Sequence, residues 1–284
     1  NGDEETLFEI IDEEMELAAK AHLQKRAFIK SILDLGLHGP LAALCVSHDD
    51  EGYLRMRKAS HLIGILGLNE MVEAVTGCQL HESEHAEQLG QAVIQYMDLK
   101  CQQLSERLGL KIVLEQTPAE STALRFAKLD LRTYPDVARK YIKGSFDTGE
   151  IYYTNSTHLN YKLVQDPIDK VTREGVLHPM IKAGAITHVW MGEHKPDPKA
   201  LASFVIKTFR HSENAQVAFS PEFTICNECN HIERGLSDSC SRCGSEDVDG
   251  ITRVTGYFTR TSSWNAGKRG ELRDRARGPV KAPA

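Results

Sequence analysis

Seven cysteines occur in 284 residues, and four of them are spaced for chemistry: Cys226-x-x-Cys229, ten intervening residues, then Cys240-x-x-Cys243. Two tight thiolate pairs at this separation are a ligand set that tetrahedral zinc selects, with Zn–S distances of about 2.3 Å. Free thiols or a pair of disulfides fit the double spacing less well. Four protein ligands leave no open coordination position, so the metal is expected to fold its module and to take no part in bond making. Zinc ribbons also occur in nucleic-acid-binding proteins. Here the linker Asn230–Ser239 is nearly neutral and lacks a basic or aromatic stripe, which argues against a polynucleotide partner.

A second group of reactive or ligand-binding types precedes the run ALRFAKLDL: Thr117-Pro118-Ala119-Glu120-Ser121-Thr122. Thr117 reads as a helix cap and Pro118 as the first helical residue. Hydroxyls and unpaired backbone N–H groups at a helix start favour a phosphate, and an ordinary cap explains the same residues without a ligand. Asn155, Ser156 and Thr157 can likewise contact a substrate or form a plain turn. Glu70, in the apolar segment GILGLNE, is a carboxylate placed where proton exchange is favoured.

Directly after the cysteines come Arg253-Val254-Thr255-Gly256-Tyr257, then Trp264-Asn265-Ala266-Gly267-Lys268, Glu271 and Arg275. Together with the four-cysteine site, these segments resemble the C-terminal part of anaerobic, class III ribonucleotide reductases, which are glycyl-radical enzymes. The resemblance extends upstream through Thr117–Asp130, Tyr152–Leu159 and Gly64–Glu70, covering nearly the whole chain.

The resemblance implies that an iron-sulfur activating enzyme, using S-adenosylmethionine, removes a hydrogen atom from the α carbon of Gly256. Lacking a side chain, glycine can flatten into a delocalised radical centre and enter a tight loop, and any side chain is expected to oppose both. It further implies a cysteine thiyl on a loop inside a ten-stranded barrel, abstracting hydrogen from a ribose 3′ carbon. None of Cys45, Cys78 and Cys101 sits in a matching motif, so they are read as structural and the thiyl cysteine is expected upstream. The substrates implied are ribonucleoside triphosphates, with formate or a dithiol as reductant, in a homodimer.

The resemblance also favours phosphate contact at Thr117, Ser121 and Thr122, and substrate contact at Asn155 and Ser156. Glu70 and Glu120 become candidates for proton exchange with the 2′ hydroxyl or formate. Another glycyl-radical enzyme, such as a formate lyase or dehydratase, and a non-catalytic zinc-ribbon binding module are the alternatives.

The elements that must position these residues follow from periodicity. Leu7, Ile11, Met15, Ala18 and Ala21 mark a long amphipathic helix from Glu4 to about Leu35, and a second runs from about Ser83 to Leu108. KIVLEQ, IYYTNSTHLN and AITHVWMG open as strands, with KALASFVIKTFRH as a later helix, and Gly64 and Gly67 permit close backbone approach before a helix at Asn69. The order is α/β. It fits the C-terminal half of the implied barrel over residues 1–219, followed by a zinc ribbon and glycyl-radical loop over 220–284. The final RGPVKAPA reads as frayed.

The formal charge of -6 and pI near 6.1 argue against bulk electrostatic binding of nucleic acid. No apolar run approaches the roughly 20 residues of a membrane span, so a cytoplasmic protein is expected. The chain opens on Asn within a helical pattern, which reads as truncated upstream, and alone it is expected to be inactive because the thiyl cysteine is not in it. The histidines, among them His61, His81, His85, His158 and His188, show no metal-ligand spacing and are read as structural or exposed.

Overall fold

The computed structural model describes residues 2–46 and 52–280. Helix α1 (Glu4–Leu33) starts where the Asp3 carboxylate accepts from Glu5 N at 3.0 Å, and it turns Met15 and Ala19 inward. Ala21, expected on the same stripe, is exposed. A short helix, α2 (Ala42–Cys45), follows a 3-10 turn.

Strand β1 (Ser60–Gly64), helix α3 (Leu68–Thr76), helix α4 (Glu84–Leu108) and strand β2 (Lys111–Glu115) form the first crossover unit. β1 and β2 pair in parallel, from Ser60 beside Lys111 to Gly64 beside Glu115. Ser83 caps α4 by accepting from Ala86 N at 3.1 Å. Leu89, Val93, Ile94, Cys101 and Leu104 of α4 pack with Met15, Val72, Ile112 and Leu114 in the largest core. Cys101 is thus a packing residue, as its lack of a motif suggests.

Helices α5 (Glu120–Thr133) and α6 (Pro135–Tyr141) lead into the antiparallel pair β3 (Lys143–Ser145) and β4 (Glu150–Tyr152). After α7 (Pro167–Gly175), strand β5 (Thr187–Gly192), helix α8 (Pro198–His211) and strand β6 (Val217–Pro221) make the second parallel crossover. The two parallel pairs are joined by main-chain bonds. Ala183 N donates to Leu114 O at 2.9 Å and Gln116 N to Gly184 O at 3.1 Å. The side chain of Gln116 adds a bond from Ile186 N at 2.7 Å.

The remaining strands, β7 (Phe223–Cys226), β8 (Ile232–Arg234), β9 (Val248–Arg253) and β10 (Phe258–Arg260), form one antiparallel sheet in the order β10-β9-β7-β8, and the helix after it, α9 (Ala266–Asp274), packs on β4 and α5. The segment after α9 is anchored, in contrast to the fraying expected. Gly278 N donates to Trp190 O at 3.1 Å, Arg277 makes two 2.8 Å bonds to Glu222, and Val280 is buried against Val189 and Phe204. Residues 281–284 lie outside the described residues. No helix among the described residues is long and apolar enough to cross a membrane.

Candidate functional site

The four cysteines predicted as ligands converge. Cys226 Sγ lies 3.6 Å from Cys243 Sγ, Cys229 Sγ lies 3.7 Å from Cys240 Sγ, and all four sulfurs fall within 4.8 Å of one another. A tetrahedron with 2.3 Å metal–sulfur bonds has edges of about 3.8 Å, so the donors fit a zinc-sized ion. The two halves fold alike: Asn230 N returns to Cys226 O at 3.1 Å and Gly244 N to Cys240 O at 2.9 Å. Asn230 and Gly244 both have positive φ, 56° and 75°. Each Cys-x-x-Cys is therefore a turn that presents its two thiolates to the same point.

Strand β9 carries this cluster's position to the glycine. At one end Val248 pairs with Cys226, and at the other Arg253 pairs with Phe258 across the turn that holds Gly256. Val254 N donates to Tyr257 O at 3.0 Å, closing that turn. Arg253 Nη1 donates to Gly256 O at 2.6 Å, and its guanidinium lies 4.6 Å from the Phe258 ring centroid.

Gly256 is exposed at the tip, with Tyr257 beside it 60% exposed. A Cβ placed at Gly256 meets nothing within 4 Å, and its φ is not positive. The steric reason expected for a glycine here is thus absent from this structure. The electronic reason, an α carbon able to flatten, does not depend on the surroundings.

Glu120 approaches this turn. Thr255 Oγ1 donates to Glu120 Oε1 at 2.8 Å, and Asn265 Nδ2 donates to Glu120 O at 2.9 Å. The cap assigned to Thr117 and Pro118 is displaced: α5 begins at Glu120, preceded by Ala119 at φ 41° with no side-chain cap. The first-turn N–H groups of α5 are therefore not covered by Thr117. Ser121 is exposed and Thr122 half-buried. Thr117 instead packs onto Gly64, where a Cβ would meet Thr117 Cβ and Cγ2 at 2.8 Å.

Glu70 is fully enclosed. Burial raises its carboxyl above the usual range, opposed by bonds from Thr154 and Asn69 and by the charge of Lys143. It accepts from Thr154 Oγ1 at 2.5 Å and Thr154 N at 3.1 Å, pinning the start of the loop that holds Asn155 and Ser156. The turn read at these residues is present, closed by His158 N donating to Asn155 O at 3.2 Å, and it is buried. Asn155 Nδ2 donates to Pro118 O at 2.6 Å, Ser156 sits at φ 49°, and Asn155 Oδ1 and Ser156 Oγ have no partner. Two non-glycine residues in left-handed conformation, Ala119 and Ser156, thus flank one interresidue bond, an arrangement that packing must sustain.

Sequence reasoning did not assign roles to the buried charges beneath these loops. His158 Nδ1 lies 3.3 Å from Glu174 Oε2, with Lys170 Nζ 4.0 Å from Glu174 Oε1. Burial alone would raise the Glu174 carboxyl, but Lys170 and His158 hold it at about 2. Lys268 of α9 and Arg275, the residue just after that helix, both grip Glu271, which they hold below the ordinary carboxylate range against its burial. Their i, i+3 and i+7 spacing was visible, but charges at helical spacing more often mark a solvated face.

The family model described as anaerobic ribonucleoside-triphosphate reductase matches residues 1–277. The chain belongs to that family. Over 298 residues it is 26% identical to the anaerobic ribonucleoside-triphosphate reductase of Escherichia coli, covering 97% of this chain and 40% of that protein. The phage T4 protein of the same name is 27% identical over 229 residues, covering 78% of this chain and 35% of its own length. The chain thus spans about two fifths of the length of the relatives it matches.

Among solved structures, an anaerobic ribonucleotide reductase superposes with a TM-score of 0.77 at 20% identity, over 98% of this chain and 42% of that one. The Thermotoga maritima anaerobic ribonucleotide reductase with MES in its active site gives 0.73 at 20% identity, over 93% and 41%. The fold is theirs, a mixed α/β architecture with the four-cysteine cluster near its end. Neither the formate lyase or dehydratase alternative nor the zinc-ribbon binding module is favoured.

Proposed function

We propose that this chain is the radical-bearing part of an anaerobic ribonucleoside-triphosphate reductase, which converts ribonucleoside triphosphates to 2′-deoxyribonucleoside triphosphates for DNA synthesis. The observation that carries it is the hairpin with Gly256 at its tip, whose strand β9 pairs at its other end with β7, the strand that ends in the ligand Cys226. An activating enzyme using S-adenosylmethionine and an iron-sulfur cluster abstracts one hydrogen atom from the Gly256 α carbon, leaving the unpaired electron spread over the adjoining amide and carbonyl. Arg253, donating to Gly256 O, is placed to polarise that carbonyl.

Residues 220–284 act as the unit that presents Gly256, and residues 1–219 as part of the catalytic barrel. Cys226, Cys229, Cys240 and Cys243 hold Zn2+, which supplies cross-linking and no reacting position. Thr117, Ser121, Thr122, Asn155 and Ser156 contact substrate. The unpartnered Asn155 Oδ1 and Ser156 Oγ support that assignment, as does the uncapped start of α5. Glu70 and Glu120 are the candidate acid–base groups. The enclosure of Glu70 favours its protonated form, and Glu120 lies beside the radical turn. The reductant is formate or a dithiol, and the protein works as a cytoplasmic homodimer.

The test is anaerobic electron paramagnetic resonance of the full-length protein after reaction with the activating enzyme and S-adenosylmethionine, compared with Gly256→Ala. The extra methyl has open space, so the variant is expected to fold and retain its metal while losing the doublet. A doublet of equal intensity in Gly256→Ala removes this reading.

A further inference from the structure

Beyond the bond from Thr255 to Glu120, the turn that carries Gly256 is held at its root. There, two successive carbonyl groups accept from one guanidinium: Arg275 Nη1 reaches Arg253 O at 3.1 Å and Nη2 reaches Val254 O at 3.3 Å. The Arg275 side chain is completely buried. Glu271 Oε1 accepts from its Nη2 at 2.8 Å and from its Nε at 3.3 Å, while Glu271 Oε2 accepts from Lys268 Nζ at 2.6 Å.

Stacking fixes the plane of the guanidinium. Its central carbon lies 4.0 Å from the Trp190 ring centroid and 5.3 Å from that of Trp264. Trp190 is held in turn by His188, whose ring is parallel to it within 2° at 4.8 Å. Trp190 belongs to β5, so the guanidinium joins the root of the β9–β10 turn to the parallel strands. Charge-assisted bonds away from water are strong and directional, and a planar fork with several fixed donors meets this geometry where an ammonium cannot.

We propose that Arg275 is a positioning residue for the radical chemistry: it clamps the carbonyls of Arg253 and Val254 against Trp190 and so sets where the turn presents the Gly256 α carbon. The inference rests on the reading of Gly256 as the radical site. Arg275 touches neither the reacting atom nor a substrate group, and acts through the backbone of the turn.

The experiment uses the activated full-length protein and compares wild type with Arg275→Lys and Trp190→Leu, each checked for bound zinc and thermal unfolding. Arg275→Lys keeps a charge for Glu271 and loses the fork. Trp190→Leu leaves every donor in place and removes the stacking surface. The readouts are the anaerobic decay rate of the electron paramagnetic resonance doublet, taken per radical formed, and separate kcat and KM values for a ribonucleoside triphosphate.

In Arg275→Lys kcat is expected to fall and doublet decay to quicken roughly tenfold, the ratio set by losing one hydrogen bond to a charged donor, and in Trp190→Leu both are expected to move in the same direction, with KM unchanged in each. A purely structural role would lower the folded fraction and leave the decay rate per radical as in wild type. Wild-type kcat and decay in whichever of the two variants folds overturns the clamp while leaving the radical reading intact. Absence of a doublet in the wild type overturns both.

Discussion

Thr255 and Glu120 lie 135 positions apart in the chain and share a 2.8 Å hydrogen bond, hydroxyl to carboxylate. It ties the residue before the Gly256 tip to the first residue of α5, linking the segment Thr117–Thr122 to the glycine hairpin.

Thr255→Val deletes the donor with little change of shape. The expected loss of stability is about 1 kcal/mol, with faster amide hydrogen exchange across residues 253–258. Glu120→Gln retains an acceptor and is expected to keep exchange near the wild-type rate. Unchanged exchange in Thr255→Val would show that the bond does not hold the turn.

Gly64 and Thr117 are in contact because residue 64 has no Cβ. Gly64→Ala forces two carbon atoms of Thr117 away from a 2.8 Å approach, expected to cost about 1–3 kcal/mol in chemical denaturation. Thr117→Gly in the same chain is expected to recover much of that loss. If the double variant is no more stable than the single, the strain lies elsewhere.

Metal removal should act on one sheet. Elemental analysis is expected to find one zinc per chain, and chelation to melt β7 to β10 while the core around α4 stays folded. Cys226→Ser, which removes a buried ligand, is expected to reproduce this state without chelator. Circular dichroism and hydrogen exchange would report it, and protection of residues 223–260 that survives complete zinc loss would contradict the assigned role.

His178 gives the fold an acid limit. Ala215 N donates to His178 Nδ1 at 3.0 Å, and burial lowers this imidazole to about 4. Between its ordinary value near 6.5 and about 4, the unfolded chain binds a proton there that the folded chain does not. Stability is therefore full above about pH 6.5 and falls as pH drops towards 4, by on the order of 3 kcal/mol. The Glu174 carboxylate, held at about 2, adds a loss at lower pH, from near 4.3 downwards. Denaturation midpoints from pH 7 to 4 should show the slope, and His178→Gln should lessen it, with the part due to His188, also lowered by burial, remaining. An equally steep profile in that variant would assign the proton uptake to another group.

Much of this organisation was legible in the sequence because it is local. The cysteine pairs announce their turns through spacing, and the helices from Glu4 and Glu84 through apolar period. What stayed hidden depends on distant partners. Arg277 and Gly278 look like a loose tail until Glu222 and Trp190 are brought beside them. Thr117-Pro118 has the composition of a helix start, yet its conformation is decided by contacts with Gly64 and Asn155. Glu120 reads as a substrate-facing carboxylate, and only the return of the chain at Thr255 gives it a partner.

Strand β9 couples the thiolate cluster to the glycine hairpin through a ladder whose side chains alternate between two faces. A single residue inserted within β9, between Val248 and Arg253, would turn the hairpin to the opposite face, away from Arg275 and Glu120. The spacer from Asn230 to Ser239 lies between the two ligand turns, outside that stretch. Insertions and deletions among homologous chains should therefore spare β9 and collect in segments such as the spacer.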